Sequence, residues 1–351
     1  MTSQENNRPN SSSLSLAIAT TEARDVQEYR LPKPDPKQLR PDEIIAQVAY
    51  CGLNHIDVNQ VKSGAYITEY PYILGREWSG QILHIGSDVK DLKPGDWVLG
   101  VSYQVGALQE QIVISRKYLC PKPDKISAEQ ASTIAHRYAA VMVALHMKEG
   151  LNLPLHPTEA EKAQRKIIIW GAATGSGMYA ILALKIAGYR TILAVASTKQ
   201  KDNLKSLGAT DVFDRNESQV AKHILSKYPD ISIGLVCQAD EHGWDCVLEV
   251  VRPTEMKKES ALLAYIIRLA PSKVPEGVTL RRAVVFSLLH DKELGDHIIQ
   301  STLPKLLALP DFMLPKQIKV FKDGSLAERV KAAICLMEKN SDVSATIQVS
   351  V

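Results

Sequence analysis

The sequence predicts an α/β protein of two domains, the second of which is built around a doubly wound parallel sheet. Its 351 residues exceed what one ordinary core uses, since domains commonly hold about 150 residues. The part before about residue 150 is rich in turn residues, whereas the part after it alternates short apolar runs with helical segments. Such alternation is typical of β-α-β units and therefore of a parallel sheet.

The composition is that of a globular protein without a strong charge bias. Hydrophobic residues make up 45% and charged residues 23%, which allows a sizeable core. The 42 basic and 39 acidic side chains leave a net charge of +3, and no basic run interleaved with aromatic residues occurs. We therefore expect no nucleic acid as a principal partner.

The sequence also argues against membrane insertion and secretion. No stretch approaches the ~20 apolar residues that span a bilayer. Residues 1–13 are polar and lack the apolar core of a signal peptide, so a disordered tail is predicted there. The five cysteines are scattered without a C-x-x-C pair, as is typical of a reducing compartment. The expected location is cytoplasmic.

Short strands separated by prolines and glycines are predicted from Leu14 to Lys122, which favours an antiparallel, loop-rich first domain. The strand candidates there include Glu43–Tyr50 and Gly80–Ile85. A charged segment punctuated by prolines, Leu145–Lys166, follows them and predicts the start of the second domain.

The second domain begins with a complete β-α-β pattern. Lys166–Trp170, a lysine followed by three isoleucines and a tryptophan, predicts a buried parallel strand. Met178–Ala187 predicts a helix and Thr191–Ala196 a second strand, within the about thirty residues that such a unit needs. Later candidates are a helix at 201–207, strands at 211–213, 233–237 and 262–269, a helix at 326–337 and a strand at 345–351.

A glycine-rich turn joins this first strand to the helix. It consists of Gly171, Ala172, Ala173, Thr174, Gly175, Ser176 and Gly177. Small residues let the backbone approach a diphosphate, and the helix N-terminus supplies N–H groups and a favourable dipole. We therefore predict a Rossmann domain that holds a dinucleotide on these seven residues. The alternative is a tight strand-to-helix turn that binds nothing.

The residues after the second strand predict which dinucleotide binds. Ala196-Ser197-Thr198-Lys199 contains no Asp or Glu to hold the ribose 2′-hydroxyl of NAD. A hydroxyl and a lysine suit a 2′-phosphate instead, so Ser197, Lys199 and Arg215 are predicted to select NADPH. Alternatively, Lys199 and Lys201 are only the solvated start of a surface helix.

Ordered motifs run through the first two thirds of the chain. They are Asn54-x-x-Asp57, Lys62-x-Gly64-x-Tyr66, Pro71-x-x-x-Gly75-x-Glu77-x-x-Gly80, Gly86-Ser87-Asp88-Val89, Lys93-Pro94-Gly95-Asp96-Trp97-Val98, Gly106-Ala107-x-x-Glu110 and Ser206-Leu207-Gly208-Ala209. Together they resemble the medium-chain dehydrogenase/reductase superfamily, and within it the zinc-independent quinone oxidoreductases and the fungal trans-acting enoyl reductases. The resemblance extends from about Leu14 to Arg215.

The resemblance implies a GroES-like distorted β-barrel domain that is interrupted by the Rossmann domain. On this basis, residues 14–150 and 300–351 are assigned to the GroES-like catalytic domain and residues 151–299 to the Rossmann domain. The resemblance also implies hydride transfer from the nicotinamide of NADPH in a cleft between the domains.

The resemblance further implies that the catalytic zinc of the related alcohol dehydrogenases is missing. Cys51 fits the first ligand position, but Gly75-Arg76-Glu77 places an arginine at the second, and a guanidinium repels zinc. His55 and His136 do not complete a ligand set. Arg76 could pair with Glu77 or Asp57 and polarise a substrate carbonyl, or it could only close the empty site as a structural ion pair.

Five residues are candidates for the catalytic cleft: Asn54, Tyr66, Arg76, His136 and Tyr138. For each of them, packing or hydrogen bonding is the alternative role. Three segments depart from the family pattern at the nicotinamide side, namely Ala140-Val141, Leu269-Ala270-Pro271 and Ser344-Ala345-Thr346. NADPH binding could therefore persist while reduction is altered or lost.

The leading hypothesis is a zinc-independent, NADPH-dependent reductase of an activated C=C bond in an enoyl, enone or quinone substrate. The substrate could be a polyketide-type intermediate of fungal secondary metabolism that a partner synthase carries. The alternative is a redox-neutral member of the fold that shapes or cyclises a biosynthetic intermediate. A nucleic-acid-binding or structural protein is the third class, which the near-neutral charge disfavours. The sequence leaves both a monomer and a homodimer open.

Overall fold

The computed structural model describes residues 13–254, 261–266, 270–309, 312, 318–339 and 343–350. The chain forms two units: unit 1 is Met1–Ala135 with Pro315–Val351, and unit 2 is His136–Leu314. The boundaries predicted from the sequence, after residue 150 and before residue 300, both fall inside unit 2. Of the predicted tail at 1–13, only Ser13 belongs to the described residues.

Strands and helices are numbered separately in chain order. The strands are β1 (Leu14–Thr20), β2 (Val26–Pro32), β3 (Glu43–Leu53), β4 (Tyr72–Ile73), β5 (Glu77–Ile85), β6 (Trp97–Val101), β7 (Gln111–Ser115), β8 (Leu119–Pro121), β9 (Lys166–Trp170), β10 (Thr191–Ala196), β11 (Asp211–Asp214), β12 (Ile233–Val236), β13 (Ala261–Tyr265), β14 (Val278–Arg282), β15 (Ile318–Phe321) and β16 (Ser344–Gln348). The helices are α1 (His55–Ser63), α2 (Ala128–Ala131), α3 (Ala135–His146), α4 (Glu159–Gln164), α5 (Gly175–Ala187), α6 (Lys201–Leu207), α7 (Val220–Lys227), α8 (Glu241–Val251), α9 (Lys292–Asp296), α10 (Leu303–Ala308) and α11 (Leu326–Lys339). In the described part of the chain, no helix is long and apolar enough to cross a membrane.

Unit 1 is built mainly from antiparallel strands. One sheet has the order β2-β1-β4, and the other has the order β15-β16-β3-β5-β6-β8, with β7 also paired to β3. Two register shifts interrupt the pairing of β3 with β5, as β-bulges do where a sheet bends. Because β16 pairs with β3, the C-terminal segment returns to the first unit. The core between these elements includes Ile44, Trp78 and Val98, all fully buried.

Unit 2 contains the predicted doubly wound sheet. Its six strands are all parallel and lie in the order β11-β10-β9-β12-β13-β14. The chain first adds strands on one side of β9 and then on the other, which defines the Rossmann arrangement. The three isoleucines of β9 are fully buried, since a central parallel strand is covered on both faces.

The predicted element bounds hold where the pattern was strongest. β9, β10 and α6 have the predicted bounds, whereas α5 begins at Gly175 rather than at Met178. The earlier start has a local cause, because the Thr174 hydroxyl caps the helix by accepting a hydrogen bond from the Gly177 N–H at 3.1 Å. The strand predicted at 262–269 ends at Tyr265, and residues 267–269 lie outside the described part.

Helix α5 lies very close to the end of β9. A Cβ atom added at Gly177 would come 2.5 Å from the Gly171 carbonyl oxygen and 2.6 Å from the Ala172 Cα. Both are backbone atoms, so neither can rotate away. Only glycine at position 177 lets the helix start this close to the strand.

Gly177→Ala is therefore expected to lower the free energy of unfolding by about 1–3 kcal/mol, through overpacking against fixed atoms. Urea denaturation followed by circular dichroism measures the change. The matched control is Gly295→Ala on α9, where an added Cβ meets Leu288 no closer than 3.9 Å. Alanine should there raise stability by about 0.5–1 kcal/mol. Equal effects of the two substitutions would contradict the close packing at Gly177.

Candidate functional site

The carboxyl edge of the parallel sheet gathers the residues predicted to bind a dinucleotide. Strand β9 lies between β10 and β12, so the strand order reverses at its side. In open α/β sheets, ligands bind outside the carboxyl ends of the strands at such a reversal. The turn 171–177 follows β9 at this edge and leads into α5. The structure thus places all seven predicted residues at the expected end of the sheet.

The geometry of this turn fits an anion. Gly171 has a left-handed φ of 77°, and a Cβ there would come 2.6 Å from the backbone nitrogen of Gln238. The first intrahelical bond of α5 runs from the Met178 N–H to the Thr174 carbonyl at 2.9 Å. The N–H groups of Gly175 and Ser176 precede that bond and have no carbonyl within the helix to donate to. They are the groups that a diphosphate oxygen would accept from.

Ser197, Lys199 and Arg215 come together at one corner of the same edge. Ser197 and Lys199 follow β10, and Arg215 follows the neighbouring strand β11. The Arg215 N–H donates to the Ala196 carbonyl at 3.0 Å, which holds the two strand ends side by side. Lys199 and Arg215 are exposed. Two cations and a hydroxyl at this corner suit a 2′-phosphate, and the selection of NADPH stays a prediction.

Arg76 is held inside a polar cluster of unit 1. The residue is 1% exposed, and its guanidinium lies over the Tyr72 ring, with Cζ 4.8 Å from the ring centroid. It donates to the Tyr72 hydroxyl, to Gln60 Oε1 at 3.4 Å and to the Ser102 carbonyl at 3.4 Å. Asp57, one of the two acids predicted to pair with Arg76, attracts it electrostatically. These contacts favour the structural role over polarisation of a substrate carbonyl.

Asn54 and Asp57 bind this cluster to helix α1. The Asn54 N–H donates to Asp57 Oδ2 at 2.8 Å, and the Asn54 side-chain amide donates to Glu77 Oε1 at 3.0 Å. Asp57 Oδ1 accepts from the Gly75 N–H at 2.9 Å. Asn54, Asp57, Arg76 and Glu77 are therefore brought together, with hydrogen bonds that fix the segment 75–77 against α1.

Cys51 lies beside this cluster on β3. A Cβ at Gly75 would come 2.5 Å from Cys51 Sγ, so the thiol faces the Gly75-Arg76 segment. Burial raises the pKa of the Cys51 thiol well above its usual value, and the negative charges of Asp57 and Glu77 raise it further. The buried thiol is therefore harder to ionise than that of an exposed cysteine.

The donor set around Cys51 does not fit a zinc ion. Arg76, which is buried here, stands where the resemblance implies the second zinc ligand, and a guanidinium repels a divalent cation. Within the described ranges, no group of three or more His, Cys, Asp or Glu side chains is placed to hold a metal.

Tyr66 differs from the other candidates because its side chain is open to solvent. The residue is 56% exposed and has a φ of 59°. This left-handed conformation is uncommon for a bulky side chain and costs conformational energy. An exposed aromatic ring held in this conformation remains a candidate for substrate contact.

His136 and Tyr138 lie on α3 in unit 2, and both are buried. The Tyr138 ring packs edge-on against Tyr179 of α5 at a centroid distance of 6.1 Å, and Tyr179 stacks on Phe312. Burial raises the pKa of the Tyr138 phenol well above its usual value, and Thr302 opposes the rise. Tyr138 therefore stays neutral and serves as an aromatic contact between helices.

Arg137, which lies between these two candidates, was not predicted from the sequence. A Cβ at Gly175 would come 2.7 Å from Arg137 Nη1, so the guanidinium lies directly against the glycine-rich turn. The signal available in the sequence was a cation in the first turn of an alanine-rich helix, where an acidic side chain is the favoured choice.

The segments that depart from the family pattern lie in different places. Ala140 and Val141 are on α3 in unit 2, and no side-chain hydroxyl is present at either position. Ser344–Thr346 belongs to β16, where the Thr346 hydroxyl lies 2.6 Å from Ser132 Oγ and donates to the Cys51 carbonyl. Leu269 lies outside the described residues, and Ala270 and Pro271 follow it outside any helix or strand.

Comparison with known proteins relates these features to a family. The model of the alcohol dehydrogenase GroES-like domain matches residues 40–124. Dehydrogenase azaJ of Aspergillus niger is 26% identical over 310 residues, which cover 84% of this chain and 87% of that protein. NAD(P)H oxidoreductase RTN4IP1, mitochondrial, of Danio rerio is 28% identical over 278 residues, covering 71% and 68%. Trans-enoyl reductase tndF of Aspergillus flavipes is 30% identical over 204 residues, covering 55% and 58%.

Solved structures share the fold over nearly the whole chain. CurK enoyl reductase superposes with a TM-score of 0.68 at 18% identity, covering 95% of this chain and 98% of that one. The quinone oxidoreductase of Pseudomonas syringae pv. Tomato superposes with a TM-score of 0.65 at 20% identity, covering 95% and 99%. At these identities, the likeness shows a common fold, a GroES-like domain with a Rossmann domain.

The buried pair of Arg76 and Asp57 predicts a pH-dependent stability. Burial raises the pKa of Asp57, and the charge of Arg76 is the largest opposing influence. Because a raised folded-state pKa favours the protonated acid, stability should fall as pH rises through that pKa. Arg76→Met removes the opposing charge, so the fall should become larger and extend to higher pH, with a cost of about 3–5 kcal/mol near neutrality.

Urea denaturation between about pH 4 and about pH 8 measures this dependence. Arg40→Met is the matched control, since the ion pair of Arg40 with Glu43 is on the surface. A pH profile of Arg76→Met parallel to that of Arg40→Met would contradict the coupling between Arg76 and Asp57.

Proposed function

Because the chain belongs to the medium-chain dehydrogenase/reductase superfamily, we propose that it is an NADPH-dependent oxidoreductase that reduces an activated C=C bond. The bond would belong to an enoyl, enone or quinone substrate. The names of the trans-enoyl reductase, the NAD(P)H oxidoreductase and the quinone oxidoreductase described above support this class of reaction.

The observation that carries the cofactor proposal is the corner at the carboxyl edge of the parallel sheet. The turn 171–177 offers N–H groups for a diphosphate, and Ser197, Lys199 and Arg215 lie after the next two strands. Neither Ala196 nor the three residues after it is acidic, so the ribose of NADH has no carboxylate partner in that segment. The cations and the hydroxyl at this corner, together with the missing carboxylate, support NADPH rather than NADH.

When bound, the reduced nicotinamide supplies a hydride to the β-carbon of the substrate. The chain must orient that substrate and stabilise the negative charge that develops on its carbonyl oxygen. The contacts of Asn54, Arg76 and Tyr138 support a structural role for these three residues. Tyr66 and His136 remain the candidates for substrate contact, and water is the proton source for the α-carbon.

We propose that no zinc takes part in this reaction. The guanidinium of Arg76 stands where the resemblance implies the second zinc ligand, and this fixed positive charge disfavours a divalent cation. The positive charge of Arg76 lowers the pKa of the buried Asp57, an effect that a metal ion could otherwise have.

The second candidate function is a redox-neutral role, in which the site shapes or cyclises a biosynthetic intermediate with or without bound NADPH. Helix α3 favours this role, because Ala140 and Val141 provide no hydroxyl where the resemblance implies one beside the nicotinamide. Tyr138 of the same helix packs against Tyr179 of α5. Such a site would bind the cofactor without oxidising it.

We also propose a substrate, a pathway class and a location for this reaction. A polyketide-type intermediate carried by a partner synthase is the proposed substrate, and fungal secondary metabolism is the proposed pathway class. The proposed location is cytoplasmic, and neither nucleic acid nor a membrane is a proposed partner. Size-exclusion chromatography with light scattering distinguishes a monomer from a homodimer.

The direct test of the cofactor proposal is a titration of the purified protein with NADPH and NADH, followed by nicotinamide fluorescence. We expect NADPH to bind more tightly. Lys199→Ala and Arg215→Ala should each weaken NADPH binding by about 10- to 100-fold, because each removes a charge-assisted contact. Their affinity for NADH should not change.

Lys201→Ala is the matched control, since Lys201 is a neighbouring exposed lysine at the start of α6. It should leave NADPH affinity unchanged. If Lys199→Ala and Lys201→Ala behave alike, Lys199 is only part of a solvated helix start, and the assignment of the 2′-phosphate corner is wrong.

A further inference from the structure

The side chain of Arg137 lies against the first residue of helix α5. A Cβ at Gly175 would come 2.7 Å from Arg137 Nη1, 3.1 Å from Cδ and 3.4 Å from Cζ. The guanidinium therefore fills the space that a side chain at position 175 would take. It lies next to the Gly175 and Ser176 N–H groups, which have no carbonyl within the helix to donate to.

The charge at this point is the opposite of what helix electrostatics favours. Arg137 is in the first turn of α3, which contains no acidic residue, and its guanidinium reaches the first turn of α5. A helix N-terminus carries about half a positive charge, so a cation there is destabilising and an anion is stabilising. A cation and the N-terminal turn of α5 thus lie together within unit 2, and each of them favours a nearby anion.

We infer that Arg137 is a diphosphate-binding residue of the dinucleotide site, and this inference rests on the proposed function. A diphosphate oxygen that accepts from the Gly175 or Ser176 N–H lies within reach of the Arg137 guanidinium. Arginine binds phosphate with two parallel N–H···O bonds, which fixes the orientation of the group as well as its position. A side chain at position 175 would displace the guanidinium from this place.

Arg137 therefore has a different role from Lys199 and Arg215. The diphosphate is common to NADPH and NADH, whereas the 2′-phosphate belongs to NADPH alone. Arg137 should contribute to the affinity for both dinucleotides equally, and it should not choose between them. The selective contacts lie after β10 and β11, and the shared contact lies on α3.

Arg137→Met and Arg137→Lys test this role by calorimetric titration with NADPH, NADH and adenosine 2′-monophosphate, which has no phosphate on the 5′-oxygen. Arg137→Met should weaken both dinucleotides by about 10- to 100-fold and leave the affinity for the monophosphate unchanged. The dinucleotide affinities of Arg137→Lys should lie between those of the wild type and those of Arg137→Met, because lysine keeps the charge but loses the two-bond geometry. Urea denaturation of each variant without ligand shows whether it folds like the wild type.

A double-mutant cycle with Gly175→Ala separates the arginine from the turn. In the wild-type background, the added methyl displaces the guanidinium, so dinucleotide affinity should fall. In the Arg137→Met background, the same methyl should have a much smaller effect. If Gly175→Ala costs the same in both backgrounds, Gly175 serves only the approach of the phosphate to the backbone, and the role of Arg137 is refuted.

The remaining outcomes also distinguish the inference from the proposed function. Wild-type binding of both dinucleotides with unchanged affinity in a folded Arg137→Met variant would overturn the inference alone. Loss of NADPH affinity without loss of NADH affinity would place Arg137 at the 2′-phosphate and overturn the diphosphate assignment. A wild-type protein that binds neither dinucleotide nor inorganic pyrophosphate would overturn both the cofactor proposal and the inference.

Discussion

The close approach of helix α5 to the end of strand β9 is the constraint on which the proposed cofactor site depends. The absence of a side chain at Gly177 lets the helix start against the backbone of Gly171 and Ala172. This packing directs the N–H groups at the start of the helix to the carboxyl edge of the sheet, where the strand order reverses. Thr174 then sets the point at which the helix begins. The backbone geometry that suits an anion therefore comes from packing, before any charged side chain is considered.

The second constraint is a buried charge in unit 1. Arg76 is 1% exposed, and desolvating its guanidinium without acceptors would be costly. Tyr72, Gln60 and Ser102 supply the acceptors, and Asp57 supplies the opposite charge. The result is a polar cluster whose hydrogen bonds fix the segment 75–77 against helix α1. In the proposed reaction, the cofactor and the positioning of the substrate supply the chemistry.

The sequence predicted those parts of the fold that local patterns determine. The buried isoleucines of β9 and the apolar run of β10 gave their bounds, because parallel strands read as continuous apolar segments. Contacts between segments that are distant in the sequence could not be predicted from it. The acceptors of Arg76 come from α1, β4 and the residue after β6, and Arg137 meets Gly175 only because two helices pack together. Periodicity does not reveal such pairings, so the glycine turn was predicted and its arginine was missed.

The fate of a labelled hydride tests the proposed reduction most directly. NADPH with deuterium at the transferable position would be incubated with the protein and a panel of enones, enoyl thioesters and quinones, and the mixtures followed by absorbance and mass spectrometry. We expect oxidation of NADPH and, with an enone or enoyl thioester, deuterium at the β-carbon of the product. Binding of NADPH without oxidation and without deuterium in any product would contradict the reductase and favour the redox-neutral role.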